Sequence, residues 1–238
     1  MKRLKKLALT LPIIIVCVFS IYSLFNNDKL IYIALGDSVA EGRNPYGETG
    51  YGYTDFISDK LKEETKLKYY TKEYTKSGYK TQDILIQLDT NNKIKKDLRE
   101  SDLVTISIGA NDFLSYVDKN NLSVANIKNL KNIAKYVMPN IDNCIKEVRK
   151  YAKSQLIIVG YYNPIPFLFN TNMKDIEDLF NYVDSEYSKI AKKYNAIYIS
   201  NYELFKSNSD YLPNPLDIHP NIEGYRAIAN EVLKKINR

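Results

Sequence analysis

The sequence predicts an α/β fold in which a mostly parallel, five-stranded sheet is covered by helices on both faces. Three observations carry this expectation. Five short runs, residues 30–35, 67–74, 103–108, 156–159 and 196–199, are rich in apolar or β-favouring side chains. Most of them are continuously apolar rather than alternating, as strands buried on both faces require. Segments of helical period stand between them, and strands that alternate with helices build parallel sheets. The length of 238 residues, 45% of them hydrophobic and 26% charged, is that of a folded chain able to bury a sizeable core.

The first element lies outside that domain. Residues 1–6 carry Lys2, Arg3, Lys5 and Lys6, and residues 7–25 are apolar except for Thr10, Pro12, Ser20 and Ser23. A basic end followed by an apolar stretch reads as an export signal, and nineteen residues in a helix also approach the thickness of a bilayer core. Residues 1–28 are therefore expected to be a signal peptide or an N-terminal membrane anchor through residues 7–25. An uncleaved anchor is preferred, because no A-x-A cleavage site is present. Residues 29–238 form the working domain, placed outside the cytoplasmic membrane.

Along that domain, the run at 30–35 ends in Gly36 and leads into a loop rich in Gly and Tyr through Tyr53. The run at 67–74 is the weakest of the five. The clearest helix places Ile127, Leu130, Ile133, Val137, Ile141, Cys144, Ile145, Val148 and Tyr151 on one face, with Pro139 expected to kink or break it. Further helices are expected over 175–194 and 222–236. Cys144 falls on the apolar face and is expected to be a buried, inert thiol.

Composition narrows the chemistry. The net charge of +6 falls to +3 once residues 1–28 are set aside, and no Arg-rich stripe is present, which argues against nucleic acid as a partner. A single histidine, His219, rules out a multi-histidine zinc site, and two cysteines cannot make a Cys-rich cluster. The expectation is chemistry without metal or cofactor.

The unusual residues gather after strands, where α/β sheets carry their sites. They are Gly36-Asp37-Ser38-Val39-Ala40-Glu41-Gly42, Lys76-Ser77-Gly78-Tyr79-Lys80-Thr81-Gln82-Asp83, Gly109-Ala110-Asn111-Asp112-Phe113, and Leu216-Asp217-Ile218-His219-Pro220-Asn221 before the last helix. Each segment alone has an ordinary reading. Gly-Asp-Ser is a common turn, Gly78 can supply a positive φ, and Asn111-Asp112 can cap a helix. Together they hold the parts of an acyl-transfer site: a serine on a tight strand-to-helix turn, one histidine to act as base, and an amide side chain with backbone N–H groups for an oxyanion.

In order and spacing the four segments resemble the GDSL esterases and lipases of the SGNH hydrolase superfamily, over residues 30 to about 236. The resemblance implies a flavodoxin-like three-layer α/β/α sandwich. It also implies Ser38 as nucleophile, His219 as general base, and an oxyanion hole made by the Ser38 and Gly78 amides and the Asn111 side chain. One departure matters, because the family places its acid three residues before the histidine, where this chain has Leu216. Asp217, two residues before, is the preferred partner of His219, with a backbone carbonyl of Pro215 or Leu216 as the alternative. Asp37 is expected to be a structural acceptor, Asp112 a cap, Glu41 solvated, and Pro220 the first helical residue. The aromatic stretch 161–169 either lines an acyl pocket or forms a hydrophobic lid.

The reading is a serine esterase acting on acyl or lipid-like carboxylic esters through an acyl-enzyme, anchored to the membrane or secreted. The second reading is an O-acetyl esterase acting on cell-wall or surface glycans. A non-catalytic surface-binding domain is the alternative of another class, and the joint presence of Ser38, Asn111 and His219 argues against it.

Overall fold

A computed structural model describes residues 29–64, 66–116, 127–163 and 173–236. The proposed signal or anchor, the residues after Asn163 in the aromatic stretch and the chain end lie outside these. Among the described residues no helix is long and apolar enough to cross a membrane.

Five strands, β1 (Leu30–Gly36), β2 (Leu67–Thr75), β3 (Leu103–Ser107), β4 (Gln155–Val159) and β5 (Ile197–Ile199), form one sheet in the order β2-β1-β3-β4-β5. Every neighbouring pair is parallel. This is the flavodoxin-like order, and the direction of winding reverses between β1 and β3, where the loops diverge and leave a crevice at the strand ends. β2, the weakest run in the sequence, is a full nine-residue edge strand that pairs with β1 through two register shifts.

Side chains alternate between two cores. Ile33, Leu35, Val104, Ile106, Leu156 and Ile158 pack on one face against α3 (Thr81–Thr90), α4 (Asn92–Glu100), α6 (Ile127–Tyr151) and α7 (Met173–Lys193). Tyr32, Ala34, Leu103, Ile157 and Val159 pack on the other against α1 (Ser38–Glu41), α2 (Tyr53–Glu63), α8 (Tyr202–Lys206) and α9 (Ile222–Leu233). The short helix α5 (Ala110–Leu114) follows β3 at the crevice.

Two local expectations are corrected. Pro139 does not break α6, which runs continuously for 25 residues. A proline inside a helix costs ~3 kcal/mol. Val137, Ile141, Cys144, Ile145 and Val148 are all buried on the same helix, and at ~1.5–3 kcal/mol for each fully buried aliphatic side chain they outweigh that cost. Pro220 is not the first helical residue either. Asn221 is the N-cap of α9 and accepts from the Gly224 N–H at 2.9 Å, so Pro220 precedes the cap.

Candidate active site

The crevice is built by backbone constraints that begin at Gly36. A Cβ at this position would lie 2.1 Å from the Ser107 carbonyl oxygen, and φ is +135°. Only glycine lets β1 pass so close to β3 and then turn sharply. Asp37 follows as the N-cap of α1, its carboxylate accepting the Val39 N–H at 3.1 Å. Ser38 is the first residue of α1, so its N–H is one of the donors a helix cannot satisfy internally. A 7% exposure leaves Ser38 Oγ reachable from the crevice but otherwise enclosed.

His219 reaches this serine from the segment before α9. Its Nε2 lies 2.8 Å from Ser38 Oγ, and its Nδ1 lies 2.6 Å from Asp217 Oδ1. The acid two residues before the histidine works because Asp217 closes a local turn. The same Oδ1 accepts the His219 backbone N–H at 2.8 Å, which is the Asx-turn pattern of a side chain bonding two residues onward. That turn brings the carboxylate against the ring, while Leu216, at the family's usual acid position, is 94% exposed. Nδ1–H donates to Asp217, which leaves the Nε2 lone pair facing the Ser38 hydroxyl. Burial depresses the His219 pKa, Asp217 opposes that shift, and the nearby Arg43 charge adds to it. The ring is therefore neutral and basic at neutral pH.

Neighbouring contacts tie the histidine segment to the loop after β4, and that segment and α9 to the loop after Ser38. Tyr162 Oη donates to the Ile218 carbonyl at 2.9 Å, Tyr225 Oη to the Arg43 carbonyl at 2.5 Å, and Asn214 Nδ2 to the Pro45 carbonyl at 2.7 Å.

The oxyanion candidates sit on two other loops. Gly78 has φ +86°, in a turn closed by the Tyr79 N–H to the Lys76 carbonyl at 3.1 Å. A side chain would meet no atom within 4 Å at that position, so the glycine serves conformation and not space. Asn111 lies within α5 and does not cap it, since Gly109 is the N-cap. One amide hydrogen of Asn111 Nδ2 goes to the Tyr79 carbonyl at 3.0 Å, which fixes the amide and leaves the second hydrogen for a ligand. Ser38 and Asn111 line one cavity together. Gly78 is not part of that lining and is tied to the site through its neighbours.

One of those ties corrects the sequence reading, and another shows which helix the expected cap serves. Glu41 is not solvated; its carboxylate accepts both the N–H, at 2.7 Å, and the hydroxyl of Ser77, and so pins the turn that carries Gly78. Asp112 caps the start of α3 instead of its own helix, accepting from Thr81 N–H at 2.9 Å and Thr81 Oγ1 at 2.5 Å. The side chain of Asp37 is almost wholly buried and accepts from both Val39 N–H and Tyr161 Oη. Burial, partly offset by these hydrogen bonds, pushes its pKa up from 3.8 to about 7. Cys144 is fully buried, and burial raises its thiol pKa far from the reactive range.

The cavity beside Ser38 encloses about 140 Å³ and is walled mainly by apolar side chains, among them Phe113, Met138, Ile141, Phe180 and Tyr187. Tyr161 and Tyr162, from the start of the aromatic stretch, also face it. Its long walls come from α6 and α7, so the apolar face that buries those helices also lines the space next to Ser38.

Comparison with known proteins agrees with this architecture. YpmR, an uncharacterized protein of Bacillus subtilis (strain 168), is 26% identical over 215 residues, which is 89% of this chain and 83% of that one. The lipase Lip_vut3 from a goat rumen metagenome has the same fold, with a TM-score of 0.67 and 19% identity over 87% of this chain and 97% of its own. Axe2, an acetylxylan esterase from Geobacillus stearothermophilus, follows at a TM-score of 0.60 and 19% identity over 87% of this chain and 94% of its own. Residues 34–227 match the GDSL-like lipase/acylhydrolase family. A match over that much of the chain, on a crevice that brings serine, histidine and aspartate into one hydrogen-bonded line, makes this protein a carboxylic ester hydrolase of the GDSL-like lipase/acylhydrolase family.

Proposed function

We propose that the chain hydrolyses carboxylic esters by acyl transfer to Ser38, with His219 as base and Asp217 as the group that orients and charges it. The observation that carries this is the continuous line from Asp217 Oδ1 to His219 Nδ1 at 2.6 Å and from His219 Nε2 to Ser38 Oγ at 2.8 Å. Ser38 Oγ attacks the ester carbonyl carbon as its proton passes to Nε2, and Asp217 stabilises the resulting imidazolium. The carbonyl oxygen becomes an oxyanion that the Ser38 and Gly78 N–H groups and the free Asn111 amide hydrogen are proposed to receive. Collapse of the tetrahedral intermediate breaks the bond to the alcohol, which leaves with the Nε2 proton. Water, deprotonated by the same nitrogen, then attacks the acyl-enzyme and releases the acid.

Of the two substrate classes, O-acetyl esters on glycans are the better supported. An acetylxylan esterase shares the fold over 87% of the chain, and the loop after α1 is polar, with Arg43, Asn44 and Glu48, of which Arg43 is near enough for its charge to act on His219. The apolar cavity favours a second reading, longer acyl or lipid-like esters, because about 140 Å³ exceeds what an acetyl group fills. The N-terminal segment supports an extracytoplasmic location, held by an anchor at residues 7–25 or secreted after cleavage. A panel of p-nitrophenyl esters of rising chain length, acetylated xylo-oligosaccharides and lysophospholipids separates the readings. Preference for acetylated sugars upholds the first, and rates that climb with chain length uphold the second. Inertness toward all of them, together with no fluorophosphonate labelling of Ser38, overturns the acyl-transfer mechanism.

A further inference from the structure

On the far side of α5 from the apolar cavity lies a second hollow, of about 260 Å³, between the start of α3, the end of α5 and the middle of α6. The two spaces share α5 as a wall. Asn111, Phe113 and Leu114 face the cavity, while Asp112, Ser115 and Tyr116 face the hollow. Its character is the opposite of its neighbour's. Gln82, Asn140 and Asn143 are exposed, and their carboxamides have no hydrogen-bond partner among the described residues. Each offers two donors and an acceptor, the combination that matches hydroxyl groups on adjacent carbons. The volume falls just below the ~300–1,000 Å³ of pockets that take drug-sized ligands, which suits a single sugar ring.

At its edge stand two tyrosines that the core does not use. Tyr116 lines the hollow and is 52% exposed, and Tyr136 is 64% exposed. Their rings meet edge to face at 5.3 Å. Held against each other, the rings keep large aromatic faces in water with little freedom left to lose on binding. Aromatic faces beside unpaired amides suit a ligand with apolar C–H faces and hydroxyl edges. Among the described residues the lining carries one cation, Lys80, and one carboxylate, Asp112, so its formal charges balance and a neutral ligand is favoured over an anion.

We propose that this hollow is a subsite for a neutral sugar ring of the glycan whose acetyl group is presented to Ser38, with Tyr116 and Tyr136 as its platform and Gln82, Asn140 and Asn143 as its hydroxyl contacts. The proposal rests on the O-acetyl glycan reading. A ring in the hollow leans on α5, the helix that carries the Asn111 amide, so the glycan spans the rim while its ester enters the crevice.

The test has two arms on the full-length protein and its Tyr136→Ala and Asn143→Ala variants. In the first, kcat/KM is measured on acetylated xylo-oligosaccharides and on p-nitrophenyl acetate. The ratio of the two should fall at least about fivefold in each variant, through KM for the oligosaccharide. Tyr69→Ala, a tyrosine exposed on the edge strand β2, should keep the ratio of the parent. In the second arm, calorimetric titration with unacetylated xylotetraose should show binding by the parent that weakens in both variants. Parent-like ratios and parent-like xylotetraose binding in both variants would overturn the subsite. A parent that cleaves p-nitrophenyl acetate but no acetylated sugar overturns the glycan reading. In that case the titration alone decides the subsite, and absence of xylotetraose binding removes it.

Discussion

Replacing Asp37 by Asn tests whether a neutral carboxyl is stored beside Ser38, the proposed nucleophile. Asp37 is 1% exposed, and burial moves its pKa from 3.8 to about 7 despite hydrogen bonds from Tyr161 and Val39. Between those two values the folded chain holds this proton and the unfolded chain has lost it. The native state therefore binds more protons than the unfolded state, and stability falls as pH rises. The contribution is complete below pH 4, drains away through about pH 7 and is absent above it, which amounts to roughly 4 kcal/mol over the window. Asn has the shape of the protonated acid; its Oδ1 can still accept from Val39, and its Nδ2 can donate to Tyr161 Oη. Urea unfolding of parent and Asp37→Asn at half-unit steps from pH 4 to pH 8 gives the difference in unfolding free energy. That difference should move in favour of Asn by roughly 4 kcal/mol as pH rises to 7, then stay level. His219 titrates in both proteins and cancels from the comparison. A difference that is flat from pH 4 to pH 8 would show Asp37 ionised in the folded state and refute the reasoning.

Asp217→Asn should lower kcat/KM by roughly 10² to 10⁴ and shift the acidic limb of the pH profile downward, because the lost carboxylate opposes the burial that depresses the His219 pKa. An effect within about tenfold and an unmoved limb would leave Ser38 and His219 acting without it. Asn111→Ala should cut kcat by about 10²–10³ with little change in KM, read from steady-state kinetics on p-nitrophenyl acetate. Glu41→Ala removes the acceptor for Ser77 N–H and hydroxyl, and by loosening the Gly78 turn it should lower kcat by about tenfold with folding intact by circular dichroism. Dialysis against a strong chelator should leave the rate unchanged, since every group proposed to receive the oxyanion is a protein N–H; a loss restored by added metal would contradict the mechanism.

What could be read in the sequence and what could not divide by the range of the interaction. The central strands are legible because burial on both faces writes itself into five or six consecutive residues, as in Leu103–Ser107, where every residue is buried. Helices α2, α3 and α4 left weaker marks. α4 has only Ile94 and Leu98 to bury, in a nine-residue segment otherwise polar and mostly charged, so a periodic signal hardly rises above its surface. The serine turn is marked locally by the cap at Asp37, which bonds two residues onward, although the close approach that Gly36 permits is to Ser107 on β3. The placement of Asp217 stands between the two kinds. Its distance from His219 in sequence was plain, but the choice between its carboxylate and a backbone carbonyl depended on whether an Asx turn closes. The solvated reading of Glu41 fails, and the helix that Asp112 caps stays hidden, because their partners, Ser77 and Thr81, lie 36 and 31 residues away. Both carboxylates hold the loop between β2 and α3 from opposite ends, one from the serine helix and one from the helix of Asn111. That loop carries Gly78, so the geometry of the proposed oxyanion hole is set by contacts between the segments, and each segment could be recognised while the ties that align them stayed hidden.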